Sequence, residues 1–170
     1  SLVLSNNFVS KIGEREKSKA TQWVEAIKKK GELVRLSNAI FSELKRKEKQ
    51  KIDLVVEAQK ILLTKSDLSK NQDVEFSLSI IQSNTEIPVV LLTDEDMVMQ
   101  YRNMDSLFRD VSTSIEKDSI CFLKASEWKS IDQYRVIEYL DGEFLQFVFG
   151  NSFELERLQR ESERLISSFN

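Results

Sequence analysis

The chain has 170 residues, enough for one domain or for a helical segment plus one small domain. With 41% hydrophobic and 31% charged residues it lies well away from the composition that keeps a chain disordered. A net charge of −3 gives no long-range pull toward phosphate backbones, and the absence of histidine removes the commonest general base and the usual transition-metal ligand.

The start, Ser1-Leu2-Val3-Leu4, has no methionine or charged signal region, which predicts either a piece of a longer chain or a terminus set by purification. From about Asn6 to Leu63 there is no proline, and lysine, glutamate, alanine and leucine dominate, which predicts helix. Phe8, Ile12, Trp23, Ile27, Val34, Phe41, Leu44, Val55 and Leu62 recur mostly at helical steps, so the helix is amphipathic and needs a packing partner, with a parallel homodimer seam expected along this stripe. Residues 5–28 align with residues 37–60 at a constant offset of 32, including Glu16 with Glu48 and Val24-Glu25-Ala26 with Val56-Glu57-Ala58. That offset is close to nine turns, so both copies can share one stripe on a continuous rod of roughly 85 Å, the preferred arrangement; a hairpin breaking near Gly31 is the competing one.

Lys65 to Asp73 is a polar break in which Ser69 or Asn71 could cap a helix from about Gln72 to Ser83. Pro88 to Thr93 reads as a strand, Asp94-Glu95-Asp96 as a turn and Met97 to Arg102 as the returning strand. A helix is expected from Ser106 to Glu116, followed by strands at Ser119–Ala125, with Cys121 buried in it, Tyr134–Leu140 and Glu143–Phe149. Asp141-Gly142 is the signature of a type I′ hairpin, which needs positive φ at both central residues, and the alternation after it fits a sheet with one covered face. Gly150-Asn151-Ser152 ends the sheet, and Ser152 caps a helix from Phe153 to Ser168 with Leu155, Leu158, Leu165 and Ile166 as its stripe. The fold class is therefore α+β: a helical stalk or hairpin over 1–64, a small antiparallel sheet domain over 72–152, and a C-terminal helix over 153–170.

Glycine-rich phosphate loops, nucleophile elbows and metal-spaced cysteines are missing, so no catalytic residue, metal or cofactor is expected in this segment. Many carboxylates are present, but nothing selects a pair for hydrolysis. Tyr101, Arg102, Asn103 and Asp94 are the candidate ligand-binding residues, since a guanidinium fork beside polar groups suits an anionic or polar ligand. As a salt bridge and a turn cap, Arg102 and Asn103 would look the same, and Asp94-Glu95-Asp96 is read as turn chemistry more readily than as a calcium site. The basic runs Lys28–Lys30 and Lys45–Lys51 carry interleaved glutamates nearby and no stacking aromatics, so no nucleic-acid partner is expected.

Taken in order, Asn7-Phe8-Val9, Glu14-Arg15-Glu16-Lys17, Trp23-Val24-Glu25-Ala26-Ile27, Leu33-Val34 and Val56-Glu57-Ala58, then Ile80-Ile81-Gln82-Ser83-Asn84-Thr85-Glu86-Ile87-Pro88-Val89-Val90, Thr93-Asp94-Glu95 and Arg102-Asn103-Met104-Asp105, and finally Phe147-Val148-Phe149-Gly150-Asn151-Ser152, resemble the extracytoplasmic sensing regions of membrane-bound histidine kinases from the Bacteroidetes group. The chain departs from that pattern at Asp96-Met97, where the family carries a turn glycine, and in the charge of the helix after Ser152. The resemblance implies a PAS-like, periplasmic input domain of a two-component sensor, flanked by membrane spans in an inner-membrane protein, that couples an unidentified small ligand or partner protein to helix displacement. No apolar run of this chain approaches the roughly 18 residues that a span needs. The alternative expectation is a helical scaffold or protein-interaction module.

Overall fold

The computed structural model describes residues 2–64 and 71–168. Most of the polar break expected at Lys65–Asp73, with the cap expected at Ser69, lies outside the described residues, as do the side chains of Phe8 and Asn71. Two compact units divide the chain, one spanning Glu43–Arg157 and the other Ser1–Ser42 with Leu158–Asn170.

Helix α1 runs unbroken from Leu2 to Thr64, so the chain takes the rod and not the hairpin. Gly13 and Gly31 sit inside it with open space around them. An interior glycine costs only about 1 kcal/mol against alanine, and long runs of good helix formers on either side absorb that cost. Helix α2 covers Asn71–Ser83.

The larger unit is built on a four-stranded sheet, β1 (Val89–Thr93), β2 (Val98–Arg102), β3 (Tyr134–Leu140) and β4 (Glu143–Phe149), antiparallel throughout in the order β2-β1-β4-β3. Val89 pairs with Arg102 on one side and with Phe149 on the other, which centres β1 and β4 and leaves β2 and β3 as edges. Side chains alternate across the sheet. Val89, Leu91, Leu145, Phe147 and Phe149 pack with Ile52 and Val55 of α1, with Ile80 and Ile81 of α2 at the margin. Val90, Leu92 and Val148 pack on the opposite face with Met104, Phe108, Cys121 and Ala125. Both faces are therefore covered, which corrects the expectation of one and explains why β1 is buried at four successive residues instead of alternating.

The second core rests on α3 (Ser114–Ser130), and here the sequence expectation is wrong in two places. The segment 119–125 is helix and not strand, so Cys121 is fully buried but on a helical face. A short apolar run has no period that separates strand from helix. Of the helix expected over 106–116, the structure has a 3-10 turn at Asp105–Leu107 and, after a break, the first residues of α3 at Ser114–Glu116. What starts α3 is Thr113, whose hydroxyl accepts from the Glu116 backbone N–H at 3.3 Å. Threonine followed three residues later by glutamate is the N-terminal capping pattern, placed one helix later than expected.

The β3–β4 hairpin turns at Asp141-Gly142 as expected, but only Gly142 has positive φ, at 78°, and the pairing shifts register between Glu138 and Leu140. The turn is thus not type I′, and the bulge beside it absorbs the mismatch. Helix α4 spans Phe153–Ser167. In the smaller unit, Leu33, Val34, Ser37 and Phe41 of α1 and Leu158, Ser162 and Ile166 of α4 are half-buried, whereas Leu165 is exposed. Among the described residues no helix is long and apolar enough to cross a membrane.

Candidate functional site

The four candidate ligand residues do not converge. The β1–β2 register puts Arg102 opposite Val89, at the end of the hairpin away from its turn, whereas Asp94 stands in the turn itself. Tyr101 stacks edge-to-face on Phe108, with ring centroids 5.2 Å apart. Asn103 takes φ of 59° and donates from Nδ2 to the carbonyls of Asn84 and Ile87, each at 2.9 Å. That amide is committed to the backbone, which favours the turn-cap role over ligand contact.

Asn84, for which the sequence alone indicates no structural role, completes this arrangement. It is fully buried, its Nδ2 donates to the Ile87 carbonyl at 3.0 Å, and its Oδ1 accepts from the Ile87 N–H at 3.1 Å. Two asparagines from the end of α2 and the end of β2 therefore hold the loop that delivers Pro88 into β1. Tyr101 and Arg102 do share the rim of a crevice between the sheet and α1 and α2, together with Val55, Gln59 and Asn84. Its volume is about 40 Å³, room for water and not for an organic ligand.

The acidic turn is better explained. Asp96 sits at φ of 62°, a left-handed conformation that asparagine and aspartate tolerate better than other residues with a side chain. Its Oδ1 accepts from Gln146 Nε2 at 2.8 Å and from Lys129 Nζ at 3.1 Å. Those hydrogen bonds, that from Gln146 first, hold its carboxyl below the ordinary value of 3.8. Asp96 therefore fastens the β1–β2 turn to β4 and to α3, and among the described residues no cluster of three potential ligands could hold a metal ion.

The most specific constellation is the joint where the sheet passes into α4. Gly150 is buried, its N–H donates to the Pro88 carbonyl at 3.0 Å, and an added Cβ would lie 2.5 Å from the Trp128 ring. Two residues on, Ser152 is 2% exposed. Its hydroxyl accepts from the Leu155 N–H at 3.1 Å, capping α4 as the sequence suggested. The unforeseen partner is Glu48 of α1. Its carboxylate takes the Ser152 N–H at 2.9 Å and the Ser152 hydroxyl at 2.7 Å, two charge-assisted hydrogen bonds delivered to the positive end of α4's dipole. One carboxylate thus ties α1, the exit of β4 and the start of α4 together.

A second tie lies five residues further along α1: Asp53 accepts from Arg135 Nε of β3 at 3.3 Å, and the Arg135 guanidinium lies 5.5 Å from the centre of the Phe149 ring. The apolar stripe of α1 divides accordingly. Ile52, Val55 and Ala58 are buried in the sheet unit, and Leu44 and Leu62 are half-buried. In the smaller unit Val34 and Phe41 are half-buried, while Ile12, Trp23 and Ile27 are exposed, Trp23 to 71%.

Comparison with protein-family models, with curated proteins and with solved structures finds no match for this chain.

Proposed function

We propose that this chain is the extracytoplasmic input domain of a two-component sensor histidine kinase, with a PAS-like sheet unit that converts binding of a ligand or partner into displacement of its end helices. The kinase chemistry resides elsewhere in the polypeptide, and the segment itself is not an enzyme. The observation that carries this reading is the Glu48–Ser152 joint: two helices at opposite ends of the sequence meet the same sheet through one carboxylate. A shift of β4 relative to α1 strains that joint. Binding can drive such a shift only by favouring one arrangement over the other.

Sequence resemblance supports the same reading, because Phe149-Gly150 and Ser152, which stand in its last motif, are the residues that build the joint. The test is to express the intact gene product, fractionate it between membrane and soluble phases, and label it with radioactive ATP. Membrane association with acid-labile, base-stable phosphohistidine is the expected result. A free-standing cytosolic product without phosphohistidine would sink the proposal.

A second reading, a helical interaction module, draws on the exposed Ile12, Trp23 and Ile27, whose apolar surface needs a partner whatever the output. In that case the sheet unit serves as a structural cap, and the same fractionation returns a soluble product.

A further inference from the structure

A wider opening in the sheet unit lies on the opposite face from the small crevice. A broad groove of about 580 Å³ runs between the β1–β2 turn, the first residue of β2 and the outer face of α3. Its walls are Met97 from the turn and Ile115, Phe122 and Leu123 from α3, with Asp96 and Asp118 at the margin. Ile115 is 79% exposed, Leu123 66% and Met97 63%, which leaves a contiguous apolar lining open to solvent. Methionine and aromatic side chains suit such a role because they adapt to a partner's shape.

Beside this groove lies the edge strand β2. Of the two edge strands, β3 carries Arg135 and Glu138, with Arg135 engaged by Asp53. Charges of that kind block pairing with another chain. β2 reads Val98-Met99-Gln100-Tyr101-Arg102, has no charge before its last residue and exposes Met99, Gln100 and Tyr101. Among the described residues its outer side pairs with no other strand. The register shift opposite Leu91 and Leu92 leaves Met99 as an extra residue, which bends the strand and limits the length that can be added.

We propose that β2 and the α3 groove bind a short extended peptide, apolar on one side and cationic on the other, as a fifth strand of the sheet. Main-chain hydrogen bonds along β2 supply the attachment, and apolar side chains at alternate positions enter the groove. The sign of the charge follows from the lining. Asp118 lines the groove with no cation in its lining, Asp96 beside it is engaged by Lys129 and Gln146, and the exposed Asp94 and Glu95 extend the negative field of Asp118. A second copy of this chain is disfavoured as the occupant, because a two-fold contact would set these carboxylates against themselves. The inference does not depend on the signalling proposal, since a sensor or a scaffold could use the same surface.

Fluorescence anisotropy with the full chain and a short fluorescein-labelled peptide of alternating lysine and valine tests it. The peptide is expected to bind, and a glutamate–valine counterpart is not. N-methylation of alternate peptide nitrogens, which removes the strand hydrogen bonds, should weaken binding by about tenfold or more. Leu123→Lys, at an exposed position, and Asp118→Asn should each weaken it, with circular dichroism confirming that the fold is retained. Absence of binding, equal binding of the two peptides, or indifference to N-methylation or to Leu123→Lys would overturn the proposal. Concentration-dependent dimerisation abolished by Leu123→Lys would assign the surface to a second copy and overturn it likewise.

Discussion

Gly150 shows how a single position can be read from its neighbours. With the Trp128 ring and Pro88 filling the space where a side chain would start, Gly150→Ala forces β4, α3 or the Pro88 loop to move. Overpacking of this kind costs about 1–3 kcal/mol, expected as a fall in melting temperature of several degrees measured by calorimetry. Asp96 gives a pH signature instead. Its folded carboxyl titrates below the unfolded one, so the unfolded state takes up its proton first as the solution is acidified. The stability it contributes is present above about pH 4 and is lost as pH falls through its folded value. Asp96→Asn keeps a residue tolerant of positive φ while removing the charge, so its acid-denaturation curve is expected to be shallower than that of the parent below about pH 4. Cys121, by contrast, is a packing residue: burial, and secondarily the charge of Asp118, pushes its thiol up to about 11, which leaves little thiolate near neutrality.

Among the elements, α4 owes its start to a residue in α1. Ser152→Ala removes a helix cap and the hydroxyl donor to the half-buried Glu48 carboxylate, leaving it the backbone N–H of residue 152 alone, a loss of about 1–3 kcal/mol. Hydrogen exchange is the discriminating measurement: the amides of Leu155 and Glu156 should exchange faster in this variant while those of β4 keep their protection. The periodic elements were legible in the sequence because period needs no partner: α1, α2, α4, both hairpins and the cap at Ser152 follow from spacing, turn residues and capping chemistry. What stayed hidden was long-range. Glu48 looks like any other glutamate in a basic run, and only the fold brings it to Ser152. The apolar run at 119–125 is the right residues for a core but too short to declare its own period, whereas Thr113 and Glu116 held the unused signal that a helix begins there. Of the four candidate ligand residues, Tyr101 and Arg102 reach one small crevice, and Asn103 and Asp94 belong to separate turns.

For the molecule as a whole, the stripe of α1 serves two purposes. Ile52, Val55 and Ala58 complete the core of the sheet unit, while Ile12, Trp23 and Ile27 remain exposed. A seam of this kind is expected to close by parallel self-association of α1, and Trp23→Glu should shift sedimentation toward monomer without changing the thermal unfolding of the sheet unit. For the proposed sensor, the most direct measurement of coupling is histidine autophosphorylation by the intact gene product in lipid vesicles, compared between the parent, Glu48→Gln and Ser152→Ala. If the joint carries the signal, both variants shift basal phosphorylation in the same direction and blunt its response to any stimulus, with expression and membrane insertion unchanged. Phosphorylation and response identical to the parent in both variants would contradict it.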